Sequence, residues 1–296
     1  MKILLTGSNG FLGNILYNYL FNDNIIFTLN RNNSDFNCDI SVKVPHFDQE
    51  FDLVIHAAGK AHFKPKNKEE GDLFEKVNVD GLLNLINGFD KENLPKRFVF
   101  ISSVSVYGRN SGELLNEETN LNAKDYYGLS KIKSENILKK WSKDNNVLLT
   151  ILRLPLIVGK NPPGNLSKMI HAIQKRRYFN IGNGSAKKSM VLADDIAKYI
   201  LIASNFGGTY NLTDGKHPSF KEISFKIAAE LNQKRIYNIP YSIALSAAYF
   251  LTFFGTLSPF NLDVFNKMTS NLTFSDELAR KTFNWTPTSV LEKKFI

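Results

Sequence analysis

The sequence predicts an α/β fold, a doubly wound parallel sheet with helices on both faces and a smaller, mainly helical C-terminal region. Three observations predict it. Short apolar runs at Ile3 to Leu5, Ile25 to Leu29, Leu53 to Ile55, Phe98 to Ile101 and Val147 to Leu152 alternate with stretches of helical periodicity, the pattern of strands joined by crossover helices. The first run passes through the glycine turn Thr6-Gly7-Ser8-Asn9-Gly10-Phe11-Leu12-Gly13 into an amphipathic segment. The chain has 296 residues, 43% hydrophobic and 22% charged, enough for one large unit or for a major domain with a companion.

The glycine turn is the most informative stretch. Phe11, Leu12, Ile15, Leu16, Tyr19 and Leu20 share one face of a helix that starts at the turn. Gly7 allows the tight turn, Gly10 lets backbone approach a pyrophosphate, and Gly13 lets the helix sit close on the strand. Free N–H groups at the helix start, with Ser8 and Asn9 beside them, then face the phosphates. This is a Rossmann-type dinucleotide site; the plain alternative is a turn that serves only packing.

The second strand ends at Asn30-Arg31-Asn32, where an NAD site usually offers a carboxylate to the ribose 2′-hydroxyl. Arg31 and the missing acid favour NADP over NAD, unless Arg31 is simply a solvated cation. Cys38-Asp39-Ile40 is placed to close over an adenine, with Asp39 taking the exocyclic amine. The run Asp52 to Gly59 ends in Ala57, Ala58 and Gly59, small residues suited to backbone lying against a cofactor. His56 is expected to pack and bond locally; His62 is either a substrate contact or a surface histidine.

Leu73, Phe74, Val77, Leu82, Leu85, Ile86 and Phe89 predict one long helix carrying Asn78, a weak helix former often kept for its bonding. The strand Phe98 to Ile101 emits Ser102-Ser103-Val104-Ser105-Val106-Tyr107-Gly108, hydroxyls at the end where open α/β sheets bind ligands. Tyr126 to Lys131 begins another helix on which Tyr127 and Lys131 share a face. After the strand that ends at Arg153 and Pro155, the texture turns to loops around Gly159 to Asn165 and Gly182 to Ser185, followed by Lys187-Lys188. Asp194-Asp195 opens a helix, Gly208 to Leu212 is a late strand, and Ser275 is expected to cap a helix before Asp276-Glu277.

Composition narrows the function classes. The 37 Lys+Arg against 28 Asp+Glu give a formal charge of +9, which suits an anionic ligand. The basic residues are scattered without a nucleic-acid motif, so no nucleic acid is expected. One cysteine, Cys38, excludes a disulfide framework and a Cys-based metal cage; no metal is expected, and a reducing cytoplasm fits. The N-terminus reads as a strand and not as a signal peptide. Tyr237 to Leu262 carries no charge but is broken by Pro240, Gly255 and Pro259, so a buried or interfacial helix pair is expected and not a membrane span.

Together these residues resemble the extended short-chain dehydrogenase/reductase family, in its nucleotide-sugar epimerase, dehydratase and reductase branch, over nearly the whole chain. The glycine turn matches T-G-x-x-G-F-x-G, Tyr127-x-x-x-Lys131 matches the catalytic pair, and Ser103 stands four residues before Tyr107 where the family keeps Ser or Thr. The resemblance implies that Ser103, Tyr127 and Lys131 are catalytic, Lys131 also bonding the nicotinamide ribose and lowering the phenol pKa toward neutrality. It implies that Asp39, Ile40 and residues 56–59 border the cofactor and that Asn78 supports the active-site backbone. Asn165 resembles the Asn that holds a substrate diphosphate, and Lys188 stands near a phosphate-binding Arg, with His62 and Ser105 as further substrate contacts. Leu154 to Gly159 departs from the more polar run of many relatives.

A dehydratase needs an Asp-Glu pair where this chain has Val104 and Ser105, so dehydration is disfavoured. A 4-keto reductase using NADPH on a UDP-linked 6-deoxyhexosulose in surface-polysaccharide synthesis is the favoured reading, with an NAD-dependent UDP-sugar 4-epimerase as the alternative. A non-catalytic cofactor sensor and a membrane-attached enzyme for a lipid-linked sugar are the other classes. The implied organisation is a dinucleotide-binding domain at 1–156, rejoined by 191–214, and a substrate domain at 157–190 and 215–296. A homodimer through the helices near Leu85 and Leu138 is also implied.

Overall fold

The computed structural model describes residues 1–61, 63, 65–233, 235–253 and 260–296, with the backbone alone at 253. Strand β1 (Lys2–Thr6) leads through the glycine turn into α1 (Phe11–Leu20), whose Leu12, Leu16 and Leu20 are buried. β2 (Ile25–Asn30) and the short β3 (Phe36–Asn37) build outward from one edge of β1, and β4 (Leu53–His56) pairs with its other edge. Next come α2 (Lys68–Phe74), capped by the Asn67 side chain on Glu70 N, a π-helical turn at Glu75–Asp80, and α3 (Gly81–Asn87). β5 (Arg97–Ser103) runs into a 3-10 turn, Val104–Tyr107, then β6 (Gly112–Leu115) and the long α4 (Tyr126–Asp144). Asp125 caps α4, its carboxylate accepting from Gly128 N at 3.0 Å.

The second half starts with β7 (Leu148–Leu154), β8 (Leu156–Val158) and α5 (Gly164–Gln174). β9 (Phe179–Ile181), β10 (Met190–Leu192), α6 (Ala193–Ala203), β11 (Gly208–Asn211) and α7 (Phe220–Glu230) follow. The chain continues with β12 (Tyr237–Ile239), α8 (Tyr241–Phe253), α9 (Leu262–Thr269), β13 (Leu272–Phe274) and α10 (Glu277–Phe283).

Among the described residues, seven strands form one sheet in the order β11-β7-β5-β4-β1-β2-β3, every neighbouring pair parallel. The strand order reverses between β1 and β4, so a crevice opens there above the carboxyl ends of both. Alternate side chains feed two apolar layers. Ile3, Leu5, Ile55 and Val99 meet Leu12 and Leu16 of α1 and Ile196 and Ile200 of α6 on one face. Leu4, Val54, Phe98 and Phe100 meet Leu82 and Leu85 of α3 and Leu138 of α4 on the other. Each such leucine truncated to Ala would cost about 2–5 kcal/mol. The remaining strands form two-stranded ladders, β8 with β10, β9 with β12 and β6 with β13. The β8–β10 ladder adds Val158, Met190 and Leu192 to a further core with Ile173, Ile223 and Ile227.

Two expectations need adjustment, and two more gain detail. The long helix runs unbroken from Lys68 to Asn87 but is not α throughout, because Asn78 sits in a π turn between α2 and α3. The cap of α10 falls on Asp276 without a side-chain bond; Ser275 lies one residue earlier, its Oγ accepting from Glu277 N at 3.3 Å. Leu85 and Leu138 are fully buried against this chain's own sheet, so those side chains present nothing to a second copy. In the uncharged stretch, α8 buries Ala244 and Ala248 yet exposes Tyr249 and Phe250, while 254–259 lie outside the described residues. No described helix is long and apolar enough to cross a membrane.

Candidate active site

The glycine turn holds three elements in near contact. Gly7 has φ +76°, and a Cβ there would stand 2.7 Å from the Ala58 backbone at the end of β4. A Cβ on Gly13 would stand 2.0 Å from the Gly7 carbonyl oxygen, so α1 can seat on β1 only without one. Thr6 cross-links the strands: its hydroxyl accepts from Ala58 N at 3.2 Å and lies 2.7 Å from His56 Nδ1. Burial, with the nearby Lys131 charge adding to it, pushes His56 down to about 3. His56 is therefore a neutral strut, bonded locally as its sequence position predicts.

Above this junction lies a cleft of about 610 Å³. Gly7, Asn9 and Gly10 line it from the turn, Asn30, Arg31, Asn32 and Asn33 from the end of β2, Cys38 to Ser41 from beyond β3, and Ala57 to Lys60 from the end of β4. Asp39 accepts from the Ser41 amide at 3.0 Å and the Ser41 hydroxyl at 2.6 Å. Ile40 packs beside Gly81. Of the remaining turn residues, Ser8 is tied to β2 by the Asn30 amide at 2.8 Å, Leu12 enters the core, and Phe11 lines an adjoining recess with Gly159 and Lys160. The sequence reading missed Asn33, Ser41, Lys60 and Val77 as lining residues; the run of asparagines after β2 was the signal available.

The proposed catalytic residues converge where β5 ends and α4 begins. The Ser103 hydroxyl lies near enough to Tyr127 to favour its ionised form. The Ser103 hydroxyl also accepts from Ser105 N at 3.2 Å and lies 3.0 Å from Ser105 Oγ, so Ser105 belongs to the same cluster. Lys131 is buried on the same helix, its Nζ donating to the Ile101 carbonyl at 2.8 Å and lying 4.6 Å from the centre of the Phe100 ring. Burial lowers Lys131 to about 8, against the opposing pull of the Glu135 carboxylate.

The expected lowering of the Tyr127 pKa is not what the protein's own groups produce. Burial raises it, the Ser103 hydroxyl opposes that rise, and the Asp125 carboxylate adds to it. The reason is geometric: the Lys131 ammonium is spent on Ile101 and sits over Phe100. Behind the cluster, Asn78 accepts from Lys60 N at 2.7 Å and donates to Lys60 O at 3.2 Å and to Ser130 Oγ at 2.9 Å. The π turn thus joins the cleft loop to α4 at one amide, a use typical of such turns at functional sites.

Two further substrate candidates come from the second half of the chain. Asn165 is exposed in the first turn of α5. Lys188 is half-buried, donates to the Ser270 carbonyl at 3.0 Å and is lowered to about 8 by burial and by Lys267. His62 lies outside the described residues.

The cleft suits a nicotinamide dinucleotide: its turn has no room for Cβ atoms, it opens at the strand-order reversal, and asparagines and an arginine stand at the tip of β2 where a carboxylate would repel a 2′-phosphate. Residues 3–213 match the model of the NAD dependent epimerase/dehydratase family. The chain is 26% identical over 315 residues to a UDP-glucose 4-epimerase of Vibrio cholerae, covering 99% of this chain and 93% of that protein. It is 26% identical over 264 residues to the N-acetyl-alpha-D-glucosaminyl-diphospho-ditrans,octacis-undecaprenol 4-epimerase of Escherichia coli O157:H7, covering 84% of this chain and 78% of that one. The structure of RMD from Pseudomonas aeruginosa complexed with NADPH superposes with a TM-score of 0.74 at 16% identity, covering 99% of this chain and 96% of that one. The chain is thus an NAD(P)-dependent enzyme and belongs to the NAD dependent epimerase/dehydratase family.

Proposed function

We propose that this enzyme reduces the 4-keto group of a UDP-linked (6-deoxy)hexosulose, with NADPH as reductant and Tyr127 as proton donor. The observation that carries the reading is the placing of the Ser103–Ser105 hydroxyl pair at the tip of β5 beside Tyr127, whose phenol pKa burial raises. A protonated phenol is the form a reductase needs, because the carbonyl oxygen must gain a proton as the carbon gains a hydride. NADPH supplies that hydride when bound. Gly7, Asn9 and Gly10 would hold its pyrophosphate, Arg31 its 2′-phosphate, and Lys131 its nicotinamide ribose. Ser103 and Ser105 would bond the sugar oxygen and keep it beside Tyr127, while Asn165 and Lys188 would meet the substrate diphosphate.

The second reading, an NAD-dependent 4-epimerase, is favoured by the two curated relatives, both 4-epimerases. The experiment that decides follows NADPH absorbance in the presence of a UDP-4-keto sugar. Stoichiometric oxidation of NADPH supports the reductase. Interconversion of C4 epimers by the purified protein with no added cofactor sinks it.

A further inference from the structure

Behind the proposed catalytic cluster lies a charged pair that the reaction itself does not use. Glu135 follows Lys131 by one turn on α4 and is completely buried. Its Oε1 accepts from Arg153 Nε at 3.1 Å and its Oε2 from Arg153 Nη2 at 2.7 Å, a two-pronged contact between α4 and β7. Ser102, next to Ser103, donates to the same carboxylate at 2.6 Å. Arg153 is 3% exposed and stands opposite Ser102 in the β5–β7 register. Its Nη1 donates to the Tyr107 hydroxyl at 3.0 Å, and that hydroxyl donates to Asn211 Oδ1 of β11 at 2.7 Å. One carboxylate therefore ties the helix bearing Tyr127 and Lys131 to the strand tips bearing Ser103 and the carbonyl that holds Lys131.

We propose that the buried Glu135–Arg153 pair is the positioning element of this site, locking α4 onto β5 and β7 and placing a carboxylate one helical turn from Lys131. The inference rests on the reading of Lys131 as a working residue. Burial lowers the proton affinity of Lys131, and Glu135 opposes that fall. The other groups around this amine cannot do so. On β4, His56 is neutral; on β5, the Ile101 carbonyl and Phe100 ring carry no charge; on α4 itself, Tyr127 is protonated. Arg153 of β7 lies beyond the carboxylate, and Lys139, 3.9 Å from Glu135, is of the wrong sign.

The test is competitive acetylation of Lys131 with acetic anhydride across pH, read by mass spectrometry on the intact chain, so that no substrate is needed. In Glu135→Gln the midpoint of labelling should fall by about one pH unit, a tenfold change in proton affinity. The alkaline limb of turnover should fall with it. Glu135→Asp, which keeps the charge, should titrate near the wild type. Because Glu135→Gln leaves a buried guanidinium unpaired, Glu135→Gln/Arg153→Met is measured in parallel, and it should show the same downward shift. An unmoved midpoint in either neutral variant overturns the proposal, as does a chain that folds only with both charges present, or a Lys131 that is never labelled. A shifted midpoint in a protein that turns over no 4-keto sugar would overturn the proposed reaction and leave this inference standing.

Discussion

At the scale of single residues, Tyr127 and Arg31 carry separable parts of the proposed chemistry. Tyr127→Phe keeps the ring beside Phe74 and loses only the hydroxyl, so kcat should drop by about 10²–10⁴ with NADPH affinity nearly unchanged. A titration of cofactor fluorescence beside steady-state rates checks both. Arg31 lines the cleft at the tip of β2, and Arg31→Ala should weaken NADPH by about tenfold or more through loss of charge-assisted bonds while NADH binding barely changes. Equal losses for the two would remove the 2′-phosphate assignment. Gly13→Ala tests packing: a methyl 2.0 Å from the Gly7 carbonyl forces α1 off β1, at a cost of about 1–3 kcal/mol measured by urea unfolding. Tyr127, Lys131 and the glycines were legible in the sequence because spacing alone puts them on one turn or one helical face. The direction of the Tyr127 pKa was not, since it depends on where the Lys131 ammonium points, and the Ile101 carbonyl that captures it is 30 residues away.

At the scale of elements, the π turn and the helix caps separate what pattern can and cannot give. Apolar spacing from Leu73 to Phe89 reads as one helix because the residues on either side of Asn78 keep facing the sheet. The single widened turn changes the hydrogen bonding without breaking that stripe. Asn78→Ala should remove bonds to Lys60 and Ser130, lowering stability by about 1–3 kcal/mol. It should also raise the Kd for NADPH, because Lys60 lines the cleft; calorimetry on the folded variant separates the two losses. Ser275 was a reasonable cap by type, yet the helix begins one residue later on Asp276, whose carboxylate is engaged by Arg280 instead, at 2.8 and 3.0 Å. The competing partner is itself local, one helical turn further on.

At the scale of the whole molecule, the parallel sheet was legible from the alternation of strands and helices. Its strand order and the late return of β11 to its edge are long-range pairings that no local pattern encodes. Burial of a neutral imidazole gives the assembled molecule a pH signature. His56 titrates near 3 when folded and near 6.5 when unfolded, so the unfolded chain binds the extra proton between those values. Stability is then complete above about pH 6.5 and declines by a few kcal/mol as pH falls toward 3. Replacing His56 by Asn should flatten that decline in unfolding curves measured at each pH. The two tryptophans stand on opposite faces of the sheet, Trp285 fully buried with α1 and α6, Trp141 packed with α3 and β5. Each lamina of the sandwich thus carries its own indole fluorophore, and single-tryptophan chains would report separately whether the two laminae melt as one cooperative body or peel apart in sequence.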